Sequence, residues 1–243
     1  MHIKFKITHL ESVDSTSNYV ATAFAQGKIG HGSVILADKQ TSGRGQRDSI
    51  WHSEGGLNLL FSILLTPDNM SASEGQSVMH CTTLALVDLL NTFGVVAQVK
   101  WPNDIYVGNR KMAGILIENQ LTGSRISRSI IGIGLNINQA DFGELNATSL
   151  YLETGKYVHL KEVLLRFLHH FNEQWLILCA NNVQQLKSNY CALLLGLNDL
   201  VTFEDANGEF TGVITGVDDL GRLQVKTEQG QNVYDLKEIQ FKL

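Results

Sequence analysis

The sequence predicts an α+β protein in which a mixed sheet packs with helices and a small antiparallel β-barrel follows. Segments with helical periodicity are interspersed with extended runs rich in valine and isoleucine, which predicts the sheet and its helices. The barrel is predicted because the residues after Gly196 form four short strand-like runs separated by turns, without a helical pattern. We therefore expect one domain over residues 1–195 and a second over residues 196–243.

Four segments are predicted to be helices. Apolar residues recur at spacings of three and four from Ser73 to Phe93, and again from Leu160 to Leu178. Ser71 and Glu74 form a capping-box pattern before the first of these helices, and Gly94 ends it. Two shorter helical patterns cover residues 17–26 and 183–195.

The predicted strands occupy most of the remaining chain. Residues 1–8 alternate in charge and apolar character, and Asn207-Gly208 is a hairpin signal. The extended runs of the larger domain are residues 33–37, 57–65, 95–100, 105–107, 113–120 and 129–138. Those of the smaller domain are residues 200–203, 212–217, 222–226 and 233–236.

Composition and charge exclude several classes of protein. The 243 residues are 44% hydrophobic with only two prolines, which indicates an ordered globular chain. A net charge of −5 argues against nucleic-acid binding as the main task, and no apolar run approaches the roughly 18 residues that span a bilayer. Cys81, Cys179 and Cys191 lack metal or disulfide spacing. We expect a cytoplasmic protein that binds neither nucleic acid nor membrane.

A loop over residues 38–51 combines glycines with arginines. Gly43 and Gly45 allow the backbone to approach a ligand closely, and Arg44 and Arg47 carry guanidinium groups that match carboxylate or phosphate oxygens. A dinucleotide fingerprint is excluded because its third glycine is missing and a strand follows. The loop is either an exposed turn or a device that wraps an anionic small molecule.

A second polar group brackets a predicted hairpin whose turn is residues 108–110. It consists of Lys100, Asn103, Asp104 and Lys111. Asp104 is placed to hold a metal or to orient a lysine, and the alternative is an ordinary hairpin with a solvated turn.

Residues 131–138 alternate apolar residues with glycine and asparagine. On a strand, one face would carry Gly132, Gly134, Asn136 and Asn138. Such a face leaves room for a flat ligand and can hydrogen-bond it. A glycine-bearing strand with close backbone contacts in the core is the competing explanation.

Near the N-terminus, residues 14–18 read Asp-Ser-Thr-Ser-Asn before a predicted helix. Their hydroxyl groups suit a ureido or amide group, although an N-cap cluster needs no further function. No order of serine, histidine and aspartate, or of cysteine and histidine, indicates a covalent protein nucleophile.

Together these segments resemble the biotin protein ligase family, which shares its catalytic fold with lipoate protein ligases. The co-linear motifs cover essentially the whole chain: residues 14–16, 40–45, 51, 100–104, 110–118 and 132–138. The resemblance implies that the C-terminal barrel is SH3-like. Because only about a dozen residues precede Ser15, it also implies a short form without an N-terminal DNA-binding domain.

The reaction that this resemblance implies has two steps. Biotin reacts with ATP, accompanied by Mg²⁺, to give biotinyl-5′-AMP, and a lysine of a biotin carboxyl carrier protein then displaces AMP. The carrier would belong to acetyl-CoA carboxylase or a related carboxylase. A homodimer through the catalytic sheet is compatible with the family.

The resemblance also implies roles for individual residues. The catalytic group is Lys111, Arg44 and Asp104. The biotin-binding group is Ser15, Thr16, Ser17, Gln40, Arg44, Gly45, Gln46, Lys111 and Gly114. The ATP- or adenylate-binding group is Arg44, Arg47, Trp51, Lys100, Asn103, Asp104, Lys111 and Asn136. No residue is expected to ligate a metal directly, and the Mg²⁺ that accompanies ATP would lie near Asp104.

The chain departs from the family pattern at three positions. Gln46 stands where many members have a second arginine, Asp48 where glycine is frequent, and Ser17 where asparagine is usual. Loss of a charge-assisted hydrogen bond at Gln46 predicts looser retention of the adenylate, unless Arg47 compensates for it.

Two other functions remain as alternatives. A lipoate or octanoate ligase would use the same adenylation chemistry with a longer apolar pocket, but the Gly-Arg-Gly and Lys-Trp-Pro-Asn-Asp runs favour biotin. A non-catalytic biotin sensor is the second alternative, and the presence of both Arg44 and Lys111 argues against it.

Overall fold

A computed structural model describes residues 2–46 and 49–242 of the chain. Its helices are α1 (Thr16–Ala25), α2 (Gly75–Asn91), α3 (Leu150–Thr154), α4 (Leu160–Cys179) and α5 (Val183–Ala192). The strands of the larger sheet are β1 (Lys6–Val13), β2 (Ser33–Gln40), β3 (Leu59–Leu65), β4 (Gln98–Lys100), β5 (Asp104–Val107), β6 (Arg110–Thr122) and β7 (Arg125–Leu135). Those of the smaller sheet are β8 (Leu200–Asp205), β9 (Gly208–Val217), β10 (Leu223–Thr227), β11 (Gly230–Tyr234) and β12 (Gln240–Phe241).

The larger sheet is mixed. Its strand order is β1-β2-β3-β7-β6-β5-β4, in which β1 and β2 are parallel and the other neighbours are antiparallel. The smaller sheet is antiparallel, in the order β11-β10-β9-β8-β12. The predicted α+β class, with a mixed sheet followed by a small β-structure, is confirmed.

Helices cover both faces of the larger sheet. On one face, Phe61 of β3 packs against Phe167 of α4 at a ring-centroid distance of 5.3 Å. On the other face, Val20 of α1 forms a cluster with Ile35, Leu64 and Ile130. Because both faces are covered, β3 is buried along its whole length. None of the helices in residues 2–46 and 49–242 is long and apolar enough to cross a membrane.

The register of β6 against β7 determines what the α1 face presents. Gly114 lies opposite Gly134, Leu116 opposite Gly132, and Glu118 opposite Ile130. Side chains of a strand alternate between its faces, so these three pairs share the face that carries α1. Two glycines side by side leave a shallow depression in this face.

Several predicted boundaries were wrong. The helix expected over residues 183–195 ends at Ala192, because Val99 exchanges backbone hydrogen bonds with Leu193 and Leu195. The first strand lies at Lys6–Val13 instead of residues 1–8, and neither α3 nor β12 was predicted. Strand β7 ends at Leu135, so Asn136 and Asn138 leave the pleat. The capping box of Ser71 and Glu74 is confirmed, in a 3₁₀ turn that leads into α2.

Candidate functional site

A cavity of about 480 Å³ opens on the α1 face, above β6 and β7. Its walls come from the start of α1, the end of β2, the following loop, the segment before β5, and β12 of the smaller sheet. The predicted site residues that line it are Ser15, Thr16, Ser17, Gln40, Arg44, Gly45, Gln46, Trp51, Lys100, Asn103, Asp104, Lys111 and Gly114. The fold thus brings segments that are distant in sequence into one cavity.

Hydroxyl groups at the start of α1 form a buried cluster. The hydroxyl oxygens of Thr16 and Ser17 lie 2.7 and 3.0 Å from that of Ser62. Gln40 Oε1 accepts hydrogen bonds from the backbone N–H of Thr16 at 2.7 Å and from its hydroxyl at 3.1 Å. Because hydroxyl groups both donate and accept, this cluster suits a ligand that carries N–H and C=O groups together.

Ser62 belongs to this cluster but was not predicted. It is the single polar residue of β3, whose other residues are leucine, phenylalanine and isoleucine. A buried hydroxyl needs a partner, so a lone serine in an apolar strand was a usable signal.

Trp51 lies directly on the glycine pair of β6 and β7. A Cβ atom on Gly134 would stand 2.4 Å from Cε2 of the indole, and one on Gly114 would stand 2.9 Å from Cζ3. Only glycine permits this approach. The indole fills the space that was predicted for a flat ligand, and its Nε1 is buried without a hydrogen-bond partner in the described part of the chain.

The charged centre of the cavity is an ion pair. Lys111 Nζ lies 2.8 Å from Asp104 Oδ2 and 5.5 Å from the centroid of the Trp51 ring. Asp104 is the one carboxylate among the described lining residues, which also include the cations Arg44 and Lys100. The balance of charge therefore favours an anionic ligand.

Lys100 lies between two aromatic rings. Its Nζ stands 5.1 Å from the centroid of the Tyr106 ring and 5.7 Å from that of Phe241. Burial lowers the pKa of Lys100; the Asp104 carboxylate opposes this shift and the Lys111 ammonium adds to it. Burial also raises the pKa of Tyr106 to about 12, so its phenol stays protonated at neutral pH.

The glycine-rich loop folds back on itself over the cavity. Gly45 N–H donates to the carbonyl of Ser49 at 2.7 Å, and Trp51 N–H donates to the carbonyl of Gly43 at 3.0 Å. The side chain of Arg44 reaches across to β6 and forms an ion pair with Glu118. Arg47 and Asp48, which were singled out in the sequence, lie outside the described residues.

The two asparagines predicted to bind nucleotide are placed differently. Asn103 lines the cavity, and its Nδ2 donates to the carbonyl of Ile115 at 2.5 Å. Asn136 does not line it. Its Nδ2 donates to the carbonyl of Thr148 at 3.0 Å, and its Oδ1 is buried without a partner among the described residues. The reason is that β7 ends one residue earlier, which turns Asn136 away from the glycine face.

The smaller sheet supplies one wall of the cavity, which was not predicted from the sequence. Ile239, Gln240 and Phe241 line the cavity from the end of the chain. No local pattern indicated this, because the contact depends on how the smaller sheet packs against the larger one.

Comparison with models of known protein families shows to which family the chain belongs. The model of the biotin/lipoate A/B protein ligase family matches residues 9–136, which is more than half of the chain. The chain belongs to this family. The model of the biotin protein ligase C-terminal domain matches residues 196–240.

Individual relatives of this family member are biotin ligases. The biotin–[acetyl-CoA-carboxylase] ligase of Paracoccus denitrificans is 30% identical over 96% of this chain and 99% of its own length. The bifunctional ligase/repressor BirA of Bacillus subtilis is 31% identical over 89% of this chain and 68% of its own length. The biotin protein ligase from Aquifex aeolicus, solved in complex with biotin and ATP, is 28% identical over 98% of both chains, with a TM-score of 0.80. The predicted enzyme class, a biotin protein ligase, is confirmed.

Proposed function

We propose that this enzyme activates biotin with ATP to biotinyl-5′-AMP and transfers the biotinyl group to a lysine of a biotin carboxyl carrier protein. The observation that carries the proposal is one cavity that joins the hydroxyl cluster of α1 and β3 to the cations Arg44, Lys100 and Lys111. Biotin has matching chemistry, with a neutral ureido head and an anionic tail.

The ureido head is bound by the buried hydroxyl cluster. Ser15, Thr16 and Ser17 are each at most 5% exposed, so their hydroxyl groups are shielded from water. The ureido oxygen accepts hydrogen bonds from hydroxyl groups, and its two N–H groups need acceptors such as Gln40 Oε1 and hydroxyl oxygens. Gly45 and Gln46, in the loop that carries Arg44, and Gly114 on β6 complete the proposed biotin-binding set.

The carboxylate of biotin attacks the α-phosphorus of ATP. A bond forms between the carboxylate oxygen and the α-phosphorus, the bond between the α-phosphorus and its bridging oxygen breaks, and pyrophosphate leaves. Lys111, with Arg44, neutralises the charge that grows on the phosphorus oxygens in the transition state. Asp104 orients Lys111 through their 2.8 Å ion pair.

The nucleotide is assigned to the aromatic and polar wall. Of the set proposed from the sequence, Arg44, Trp51, Lys100, Asn103, Asp104 and Lys111 line the cavity, Asn136 lies outside it, and Arg47 falls outside the described residues. Groups of three or more potential metal ligands are absent from residues 2–46 and 49–242. A Mg²⁺ ion held mainly by phosphate oxygens and water fits this site, with Asp104 as the nearby carboxylate, and it would neutralise charge on the phosphates.

The second step uses the carrier lysine. Its neutral amine attacks the carbonyl carbon of biotinyl-5′-AMP, an amide bond forms while the nitrogen loses one proton to solvent, and AMP leaves with the electrons of the broken bond between the carbonyl carbon and the phosphate oxygen. The carrier would be that of acetyl-CoA carboxylase or a related carboxylase.

The architecture proposed around this reaction has two domains. Residues 1–195 form the catalytic domain, and residues 196–243 form an SH3-like domain that closes the cavity with Phe241. We place the enzyme in the cytoplasm, where ATP is abundant and free thiols such as buried Cys81 stay reduced. We also propose that two copies of the chain associate through the larger sheet as a homodimer.

Pyrophosphate exchange into ATP tests the proposal with three reaction mixtures. Exchange with biotin, but not with lipoate or without an acid, supports the biotin ligase. Exchange with lipoate alone would assign the chain to the lipoate ligases, and no exchange in any mixture would favour a non-catalytic biotin sensor.

A further inference from the structure

Arg44 and Glu118 form an ion pair that the proposed chemistry does not use. Nη2 of Arg44 contacts Oε2 of Glu118, across 74 positions of the sequence. Arg44 lies in the loop between Gly43 and Gly45, whereas Glu118 lies on β6. The contact therefore ties a glycine-flanked loop to the sheet.

Glu118 stands just outside the cavity. Gly114 and Leu116 of the same strand line the cavity, and Glu118 is the next residue on that face of β6. Glu118 does not line the cavity, whereas Arg44 does. The carboxylate of Glu118 contacts the guanidinium of Arg44. Glu118 is thus placed to act on the ligand through Arg44 and not by touching the ligand.

The contact leaves most of the guanidinium available. An arginine has five N–H donors in a planar fork, and Glu118 contacts the Nη2 nitrogen. Nε and Nη1 remain for a carboxylate or phosphate. Glycines on both sides give the loop many conformations, so a fixed partner lowers the entropic cost of presenting Arg44 to a ligand.

We propose that Glu118 is a positioning residue, which holds Arg44 in the orientation that receives the anionic part of the substrates. This inference rests on the proposed function, in which Arg44 binds the carboxylate and phosphate region. The opposite arrangement, in which Glu118 competes with the substrates for Arg44, predicts the opposite effect on affinity. Both side chains are about 40% exposed, at 39% for Arg44 and 43% for Glu118, so the pair adds little to fold stability.

The variant Glu118→Gln tests the proposal because glutamine keeps the shape and removes the charge. In pyrophosphate exchange we expect the KM for biotin or for ATP to rise about three- to fivefold, with kcat changed less than about twofold. The melting temperature should shift by less than about 2 °C. Glu162→Gln is the matched control, because Glu162 forms a similarly exposed ion pair with Arg166 on α4, away from the cavity.

A double-mutant cycle shows whether the effect passes through Arg44. Arg44→Ala should raise KM on its own, and Glu118→Gln should add no further change in that background. An unchanged or lower KM in Glu118→Gln, or the same rise with and without Arg44, overturns the positioning role. If Arg44→Ala leaves kcat and the KM values for biotin and ATP all unchanged, the proposed function of Arg44 is itself wrong. The two failures are therefore distinguishable.

Discussion

Asp104 and Lys111 face each other across the β5–β6 hairpin, with Oδ2 and Nζ separated by 2.8 Å. The pairing of Asp104 with Gly114 sets this distance, together with a register shift between Ile105 and Tyr106 that brings Lys111 to the same side. A lysine held in this way presents its charge at a fixed point of the cavity, which is what an enzyme needs where negative charge develops.

Removal of the Lys111 charge should therefore slow adenylation strongly. We expect Lys111→Met to lower kcat of pyrophosphate exchange about 10²- to 10³-fold, as loss of one preorganised electrostatic partner does in other enzymes. Asp104→Asn, which keeps the shape but frees the lysine, should have a smaller effect in the same direction. Lys156→Met is the control, because Lys156 is exposed and outside the cavity. Equal exchange rates for native protein and Lys111→Met would contradict the role of Lys111.

The glycine pair beneath Trp51 provides a second prediction. Gly134→Ala places a methyl group where Trp51 Cε2 stands 2.4 Å away, so the indole must leave the sheet. We expect a red shift of the Trp51 fluorescence and a higher KM for ATP. Gly114→Ala should act more weakly, since its closest indole atom is 2.9 Å away.

Controls for this experiment are available in the same chain. Gly30→Ala adds a methyl group with no heavy atom within 4 Å. Trp51→Phe identifies which part of the emission belongs to Trp51, because Trp101 and Trp175 also contribute. An emission spectrum unchanged by Gly134→Ala would show that the indole does not depend on the glycine surface.

The parts of the site that could be predicted from sequence are those with local chemical patterns. Arg44 between two glycines and Lys111 after a hairpin turn have such patterns, and both line the cavity. The position of Trp51 over Gly134 could not be predicted, because it depends on the register between β6 and β7. Phe241 was missed for a similar reason, since only the packing of the smaller sheet brings it to Lys100.

Two of the errors in the fold prediction, at the ends of β7 and α5, have a common cause. The apolar and polar alternation that predicted a strand through residue 138 continues past its end, because Ile137 is still fully buried after β7 stops at Leu135. The helical pattern through residue 195 likewise outlasts α5, where pairing of the chain with Val99 replaces helical hydrogen bonds. In both places burial persists while the hydrogen-bond partner changes, and hydrophobicity does not report that change.

Because His80 is buried, we expect the folded state to lose stability in acid. His80 is 4% exposed on α2, its ring lies 4.5 Å from that of Tyr190, and burial lowers its pKa to about 4, with a further contribution from Lys187. In the unfolded chain histidine titrates near 6.5, so the unfolded state binds the extra proton between pH 6.5 and 4. The contribution of neutral His80 to the free energy of unfolding is therefore fully present above pH 6.5 and is lost as the pH falls from 6.5 to 4.

We expect this loss to amount to about 2–3 kcal/mol between pH 7 and pH 4.5. His80→Phe should remove that part of the pH dependence, which urea unfolding at the two pH values measures. His169→Gln is the control, because His169 is 70% exposed on α4. If native protein and His80→Phe lose equal stability on acidification, His80 does not titrate as its burial requires.

Because Gln46 carries no charge, we expect the adenylate to dissociate more easily from this enzyme than from relatives with arginine at that position. The Gln46 side chain stands between the main cavity and a neighbouring one of about 300 Å³, and it lines both. A neutral amide there lacks the charge-assisted hydrogen bond that arginine would make to a phosphate, which is worth about 1.5–3 kcal/mol. Retention of biotinyl-5′-AMP should therefore improve roughly ten- to a hundredfold in Gln46→Arg.

Escape of the adenylate is measured as biotinylation of lysines on a bystander protein that is not a carrier. Gln46→Arg should reduce this labelling while transfer to the carrier continues. Gln46→Met, which changes the amide without adding charge, should label the bystander at least as strongly as the native enzyme. Because the two variants have side chains of similar reach and differ in charge, equal labelling by both would show that charge at this position does not hold the intermediate.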